Sequence, residues 1–494
     1  MKPDRRTCLL LCAGLFAAIL GVKAFLIHRY GSDLPFWDQW AREGEMTIAP
    51  AREGTLRWTD LLAPHSEHRI VPTLALNLAL EQWSGQWDAR VECLVNAGLH
   101  TALMVLLTAY VFRVYSPRAA LGVAWIQLAL SAAALDWENT LSGFQSCFYF
   151  LIGFSLVALW GLLGPRGAGS PRWWVGLLAG GCAALSLGSG LLCFGAAAGV
   201  VAVRGWVRPG QRWRSAVTVL ACVAALLACW LTRGIAPWDD AVKAKSLGDF
   251  GAYLMHCLAW PAPGWAAVAA CAWLPWLILA ARWGWSALSS TRFLIRQGQA
   301  NLRQELLLAA GLWVLLQIAA VSHYRGAGGG YPAVRYADIF FVGVLVNFLA
   351  WYEWWSALSP TRWASARVPA LLLWLSLLTV GAVTASVPAW RGTFPSMAGR
   401  SRVYEQNVTL YLQTGDVAQI EPPHQVPFPL VDWFKRMLDR PSLRAVLPVS
   451  VRPGVAESLA SAWARRAAAG GEGLAAAGLL MVLGASALTC RRSE

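Results

Sequence analysis

The sequence is poor in charge. Asp, Glu, Lys and Arg together make up 14% of its 494 residues, whereas 57% are hydrophobic. Soluble globular domains carry about 25% charged residues, so this scarcity excludes an ordinary soluble domain. Apolar runs recur along nearly the whole length, and a run of about 20 residues can cross a bilayer as a helix. The runs lack the short alternating pattern of barrel strands. The sequence therefore predicts an all-α polytopic membrane protein.

Other features are missing as well. The 11 cysteines show no CxxC or metal-ligand spacing, so we interpret those in apolar runs as small hydrophobic residues. No basic soluble domain accompanies the net charge of +14, which argues against nucleic-acid binding. No internal repeat is evident, so an inverted-repeat transporter gains no support. No small-residue cleavage site follows the first apolar run cleanly. We therefore interpret this run as an uncleaved membrane span.

About twelve membrane spans are expected. Arg and Lys concentrate in alternate loops, and Asp and Glu concentrate in the others. The positive-inside rule explains this pattern with an even number of spans and both termini in the cytoplasm. In chain order, the spans are predicted at residues 8–28, 91–112, 119–136, 146–163, 173–188, 190–203, 215–233, 264–281, 304–322, 337–355, 368–388 and 473–490.

Three long segments fall on the outer side of this topology, at residues 29–90, 234–263 and 389–471. The first contains a semi-buried stretch, Ile70 to Trp83, and the third contains a short helix expected near Leu430 to Leu438. The predicted domains are a transmembrane core at 1–388 with its outer loop at 29–90, a small outer (periplasmic) lobe at 389–471, and a last helix with a cytoplasmic tail at 472–494.

The first outer loop holds the densest polar residues. Asp38 lies between Trp37 and Trp40, and we expect desolvation to raise the pKa of its carboxyl, which suits a general base. Further on, His65, Glu67, His68 and Arg69 precede a helix expected at Ile70. A helix N-terminus with a guanidinium beside it can hold a phosphate. A capping and salt-bridge network would explain the same residues. The HxEH spacing is not the helical HExxH spacing, so it does not support a metal site.

Two later outer loops are also polar. Glu138, Asn139 and Gln145 lie in a short loop, where they could hydrogen-bond a sugar or simply cap helices. His323 and Arg325 precede a glycine run, and Arg335 with Tyr336 opens the next span. These arginines suit a phosphate ligand, and snorkelling to lipid headgroups is the alternative.

Taken together, these positions resemble the GT-C superfamily of polytopic glycosyltransferases, which use polyprenyl-phosphate sugars. The resemblance consists of an acid (Asp38) in a long outer loop after the first span, surface helices in that loop, a late outer segment, and Arg325 with Arg335-Tyr336, which are similar to lipid-phosphate contacts in bacterial members. The sequence departs from the usual acidic pair because Gln39 follows Asp38. Asp33 and Glu67 therefore remain alternative bases.

The resemblance implies a function. A carboxylate, Asp38 or Glu67, acts as the base, and Arg69, Arg325, Arg335 and Tyr336 bind the lipid phosphate. The substrates contact His65, His68, Glu138, Asn139, Gln145 and His323. No cofactor is expected, although a divalent metal stays an open alternative. The partners are a polyprenyl-phosphate-linked sugar, a glycan, lipid or protein acceptor and membrane lipids. The site would face the periplasm or exterior of a bacterial inner membrane.

Three other functions remain open. A polysaccharide polymerase or ligase would place catalytic arginines and histidines in late loops. A lipid or polysaccharide transporter would require ionisable residues in mid-membrane, whereas Lys23 and Glu353 lie near span ends, where we expect them to snorkel. A scaffold without chemistry is the last alternative.

Overall fold

The computed structural model describes residues 4–234, 240–262, 264–289, 298–357, 364–421 and 425–491, and its regular elements in these ranges are helices. The α-helices are α1 (Arg5–Tyr30), α2 (Ala49–Arg52), α3 (Trp58–Leu61), α4 (Val71–Ser84), α5 (Ala89–Val114), α6 (Pro117–Ala132), α7 (Trp137–Thr140), α8 (Ser146–Leu162), α9 (Pro171–Ala184), α10 (Leu192–Val207), α11 (Arg212–Leu231), α12 (Leu247–Ala259), α13 (Ala266–Ser289), α14 (Gly298–Arg325), α15 (Ala337–Ala357), α16 (Ala364–Pro388), α17 (Phe394–Thr414), α18 (Val431–Asp439), α19 (Pro441–Arg444), α20 (Leu459–Ala469) and α21 (Gly471–Arg491). Two π-helices, Gln39–Ile48 and Ala389–Thr393, interrupt this series.

The polytopic prediction is confirmed. Within the described ranges, ten helical segments are long and apolar enough to cross a membrane, and each overlaps a predicted span. The other two predicted spans are the helices α6 and α9, of 16 and 14 residues. At a rise of 1.5 Å per residue they extend about 24 and 21 Å, less than the roughly 30 Å hydrocarbon core.

Several helices begin where a short polar side chain accepts hydrogen bonds from the first turn. Asp4 accepts from the backbone N–H groups of Arg6 and Thr7, and Asp88 accepts from those of Arg90 and Val91. Such caps satisfy donors that have no partner inside the helix. Helix α4 covers the expected stretch Ile70 to Trp83, and α18 covers the expected helix at Leu430 to Leu438.

The chain forms two compact units. The first comprises residues 1–65, 70–149 and 386–494, and the second comprises 66–69 and 150–385. In the first unit, α1 packs antiparallel against α21 through small residues. A Cβ on Gly21 would lie 2.3 Å from the backbone N of Ala475, and one on Gly478 would lie 2.2 Å from that of Ala18. Glycine is required where the two backbones approach so closely.

The predicted outer lobe belongs to the first unit and shares a hydrophobic core with the first loop. Trp40 and Trp87 are fully buried there, and Phe434 contacts Trp40 edge-on with 4.8 Å between ring centroids. The backbone N–H of Trp87 donates to the carbonyl of Val446 at 2.6 Å. The lobe is therefore the packing partner of the segment that carries Asp38.

The second unit contains α9 to α15 and most of α8 and α16, and it holds a buried ion pair. Arg204 in α10 bonds the carboxylate of Glu305 in α14, and Arg208 donates to the same carboxylate at 2.9 Å. Both Arg204 and Glu305 are buried. A buried charge needs such a partner, since desolvation costs several kcal/mol per ion.

Two expectations about ionisable residues were wrong. Lys23 does not snorkel: it is 1% exposed, bonds the carboxylate of Asp136 and donates to Thr140 at 2.7 Å. Glu353 is 4% exposed, with Nε of Arg303 at 2.5 Å. Partners from distant parts of the sequence remove the need to reach the membrane surface.

Candidate functional site

Asp38 lies on a turn between α1 and the first π-helix. The side chain of Asp38 is 53% exposed, and its Oδ2 lies 3.6 Å from Nε2 of His65. The ring of His65 contacts Phe144 at 5.4 Å between centroids. The structure thus brings together Asp38 and His65, two of the residues singled out in the sequence. We expected the Asp38 carboxyl to be desolvated between Trp37 and Trp40. This expectation was wrong, because the side chain of Asp38 is 53% exposed and Trp37 is 51% exposed.

The turn is strained and fixed. Trp37 has φ of +49°, a conformation that costs a bulky residue about 1–3 kcal/mol. Its N–H donates to the carbonyl of Pro427 in the lobe at 2.9 Å. The indole N–H of Trp40 donates to the carbonyl of Pro35 at 2.7 Å. These bonds lock the backbone on both sides of Asp38.

A buried polar network lies directly behind this turn. Nε2 of Gln39 donates to Glu92 at 2.6 Å and to Glu43 at 3.3 Å, and Oε1 of Gln39 accepts from the backbone N–H of Phe36 at 3.1 Å. Glu43 also accepts from Nδ2 of Asn77 at 2.6 Å. Gln39, Glu43 and Glu92 are each at most 2% exposed.

Burial raises the pKa of Glu43 to about 7, and the hydrogen bonds from Asn77, Gln39 and Trp87 and the charge of Arg42 oppose this shift. Sequence reasoning missed Glu43 and Glu92. Two signals could have found them: Gln39 and Glu43 are four residues apart on one helical face, and Glu92 falls inside a predicted span, where acids are rare.

Arg42 fixes the segment that leads to His65. This guanidinium is fully buried, and its Nη2 donates to the carbonyls of Asp60 at 2.9 Å and Ala63 at 3.1 Å. Sequence reasoning missed this residue too. Hydrogen bonds from the interior thus hold the backbone near Asp38, through Gln39, and near His65, through Arg42. The fold itself therefore brings Asp38 and His65 together.

The second polar loop contributes less to an open site than expected. Asn139 is 0% exposed within α7, while Glu138 and Gln145 are half-buried. Gly143, between them, has a different role: a Cβ there would lie 2.0 Å from Oε2 of Glu92. The backbone carbonyl of Gly143 accepts from Nδ2 of Asn96 at 2.7 Å. This loop therefore packs against the buried network.

In the second unit, the carboxylate of Glu67 contacts the side chains of Arg325 and His68. Its Oε1 bonds Nη2 of Arg325 and lies 3.4 Å from Nε2 of His68. Nδ1 of His68 accepts from the backbone N–H of Gly188 at 3.2 Å, so the ring proton must lie on Nε2, facing Glu67. The other carboxylate oxygen, Oε2, is buried and has no hydrogen-bond partner. Arg325 and Glu67 side chains are 21% and 15% exposed.

The remaining candidates of the second unit occupy the ends of helices. Arg69 bonds the backbone carbonyl of Thr232, just beyond α11. Arg335 lies 5.9 Å from the ring centroid of the buried Tyr336. His323 is exposed near the end of α14, and its ring contacts Tyr324 at 4.8 Å between centroids. After α14, Gly328 and Gly329 adopt φ of +70° and +63°, which only glycine does without strain.

The candidates thus divide between the units. Asp38, His65, Glu138, Asn139 and Gln145 belong to the first, and Glu67, His68, Arg69, His323, Arg325, Arg335 and Tyr336 belong to the second. Among the candidates of the first unit Asp38 contacts His65, and among those of the second Glu67 contacts both His68 and Arg325.

Comparison with known proteins gives little. No family model matches the sequence, and it matches no curated protein. Among solved structures, the archaeal oligosaccharyltransferase AglB from Archaeoglobus fulgidus, in complex with an inhibitory peptide and a dolichol-phosphate, is similar over 82% of this chain, with 12% sequence identity and a TM-score of 0.48. The chain spans 58% of the length of that protein.

Proposed function

We propose that this chain is a membrane glycosyltransferase that moves a sugar from a polyprenyl-phosphate donor to an acceptor hydroxyl. The observation that carries the proposal is the half-exposed carboxylate of Asp38, 3.6 Å from the imidazole of His65 on a turn held by buried hydrogen bonds. A general base needs access to its substrate and a fixed orientation, and this carboxylate has both.

The proposed reaction is an inverting displacement. The carboxylate of Asp38 accepts the proton of the acceptor hydroxyl, whose oxygen forms a bond to the anomeric carbon. The bond from that carbon to the phosphate oxygen breaks, and the polyprenyl phosphate leaves with the electron pair. In the second unit, Arg69, Arg325, Arg335 and Tyr336 are the residues that we propose for binding a lipid phosphate, because cationic side chains pair with phosphate oxygens. His65, His68, Glu138, Gln145 and His323 are the proposed substrate contacts, whereas Asn139 is fully buried and is no longer one of them.

Glu67 remains the alternative base. Its Oε2 has no hydrogen-bond partner and could accept a proton, whereas its Oε1 already bonds Arg325. Asp33, the other alternative, is 7% exposed, and its Oδ1 accepts from the hydroxyl of Ser450 at 2.7 Å. Burial and this bond make Asp33 the weaker choice.

The proposal includes a location and partners. The reaction takes place at the outer face of a bacterial inner membrane, with both chain termini in the cytoplasm, and the acceptor is a glycan, a lipid or a protein. The sequence supports this location through the distribution of Arg and Lys over the loops.

The test is transfer by the full chain reconstituted in liposomes. Polyprenyl-phosphate-linked hexoses and pentoses, radiolabelled in the phosphate, serve as donors, and released polyprenyl phosphate is quantified. We expect Asp38→Asn, Glu67→Gln and Arg335→Ala to lower the rate. Asp432→Asn removes an exposed carboxylate from the first unit and should retain the wild-type rate. Wild-type rates in all three site variants would overturn the proposed site.

A further inference from the structure

The buried network behind Asp38 has no part in the proposed chemistry, yet it contains groups that are costly to bury. Two glutamates, Glu43 and Glu92, are 1% and 2% exposed, and both accept from one amide, that of Gln39. A hydrophobic core at this position would avoid the desolvation cost of two carboxyl groups. The cost calls for a compensating role.

Gln39 connects the network to the turn. Its side chain uses Nε2 on the two glutamates and Oε1 on the backbone N–H of Phe36, two residues before Asp38. Glu92 lies in the first turn of α5, and Glu43 lies one turn further along the π-helix. The turn is thereby tied to a membrane-spanning helix through a single amide.

The turn needs this support because of its conformation. Trp37 at φ of +49° is unfavourable for a bulky residue. Such conformations persist only where surrounding contacts over-determine them. Without the bond to Oε1 of Gln39, the backbone N–H of Phe36 would lose its acceptor. Trp37 could then relax to negative φ, which would rotate the next residue, Asp38.

We propose that Gln39 is a positioning residue for Asp38, with Glu92 and Glu43 as its hydrogen-bond partners. The amide of Gln39 connects the strained turn to α5 and so fixes the orientation of the Asp38 carboxylate. The inference rests on the proposed function, in which Asp38 is the base. It also explains the departure from an acidic pair: a carboxylate at position 39 could not donate to Glu43 and Glu92, whereas an amide can.

The test compares isosteric variants in the liposome transfer assay. Gln39→Met keeps the volume and removes all hydrogen bonds. We expect kcat to fall about 10- to 100-fold, as for a misplacement of a catalytic group by about 1 Å, with KM for the donor unchanged. Glu92→Leu should act in the same direction, whereas Glu92→Gln keeps an oxygen that accepts from Gln39 and should retain at least half of kcat.

A matched control separates positioning from general loss of stability. Gln127 in α6 is 0% exposed, compared with 1% for Gln39. It donates to the carbonyl of Met104 at 3.2 Å and accepts from Thr108 at 2.9 Å. Gln127→Met removes an equally buried amide from the same unit, outside the network. It should lower thermal stability in detergent and leave kcat within twofold of the wild type.

The decisive measurement is the double variant. If Gln39 acts through Asp38, Gln39→Met should cost less than threefold in the Asp38→Asn background, because the group that it aims is gone. An equal loss in both backgrounds, or a wild-type kcat for Gln39→Met, would overturn the inference. Where Asp38→Asn has no measurable rate, the split between kcat and KM of Gln39→Met decides. A fully active Asp38→Asn would instead overturn the proposed base.

Discussion

The two carboxylates considered as bases occupy opposite environments. Asp38 is 53% exposed, with His65 at 3.6 Å, and its turn is braced from the interior. Glu67 is 15% exposed and has Arg325 on one of its oxygens. The guanidinium of Arg325 thus occupies one oxygen of Glu67, whereas the carboxylate of Asp38 is accessible to a substrate. The comparison favours Asp38 as the proposed base and an anion-binding or structural role for the group around Glu67.

The largest expected effect concerns this assignment. Asp38→Asn should lower the transfer rate about 1,000-fold, within the range for loss of a general base. Glu67→Gln should lower it only about 10-fold, because the amide can still accept from Arg325. Single-turnover rates in liposomes measure both. A larger loss of rate with Glu67→Gln than with Asp38→Asn would indicate that Glu67 is the base.

The next effect is a pH dependence of stability that comes from the buried network behind Asp38. Burial raises the pKa of Glu43 from 4.5 to about 7, so the folded protein binds a proton that the unfolded chain releases between these values. The contribution of Glu43 to the free energy of unfolding is therefore fully present below pH 4.5 and is lost as the pH rises to about 7. Unfolding of the wild type and of Glu43→Gln in detergent should differ in this slope. If the wild type and Glu43→Gln show the same slope, groups other than Glu43 cause the pH dependence.

A smaller effect tests the ion pair of the second unit. Arg325→Met leaves Glu67 largely buried without its guanidinium and should cost about 2 kcal/mol of stability. Arg465→Met breaks a pair with Glu457 in which the arginine side chain is 54% exposed, and should cost less than about 0.5 kcal/mol. Thermal unfolding of the two variants gives the comparison. Equal losses would show that burial does not strengthen the Arg325 pair.

The last effects, of similar or smaller size, come from two glycines, one beside Glu92 and one beside Glu67 and His68. A Cβ on Gly143 would lie 2.0 Å from Oε2 of Glu92, and one on Gly188 would lie 2.9 Å from Nδ1 of His68 and from the carbonyl of Glu67. Overpacking costs about 1–3 kcal/mol, so Gly143→Ala should cost about 2 and Gly188→Ala about 1. Activity should fall with Gly143→Ala, since Glu92 must move. Gly98→Ala, with open space around its Cβ, is the control.

Particular residues show how far the sequence could predict the site. Asp38 and His65 were found because polar residues stand out in a chain with so few charges, and they do lie together. Glu67 and Arg325 were both found, but their bond joins residues 258 positions apart, which no local pattern reveals. Asn139 was assigned to substrate from its loop position, yet it is fully buried.

The sequence by itself determined the class of protein and the positions of its helices. Only helices or closed barrels satisfy every backbone group in lipid, and long apolar runs without an alternating pattern favour helices. The ten candidate spans in the described ranges follow those runs. Tertiary structure alone decided which polar groups meet. Lys23 pairs with Asp136, the lobe packs on the first loop, and Gln39 joins Phe36 to Glu92. These contacts depend on how distant helices pack, and burial then decides which carboxylates remain accessible to substrate.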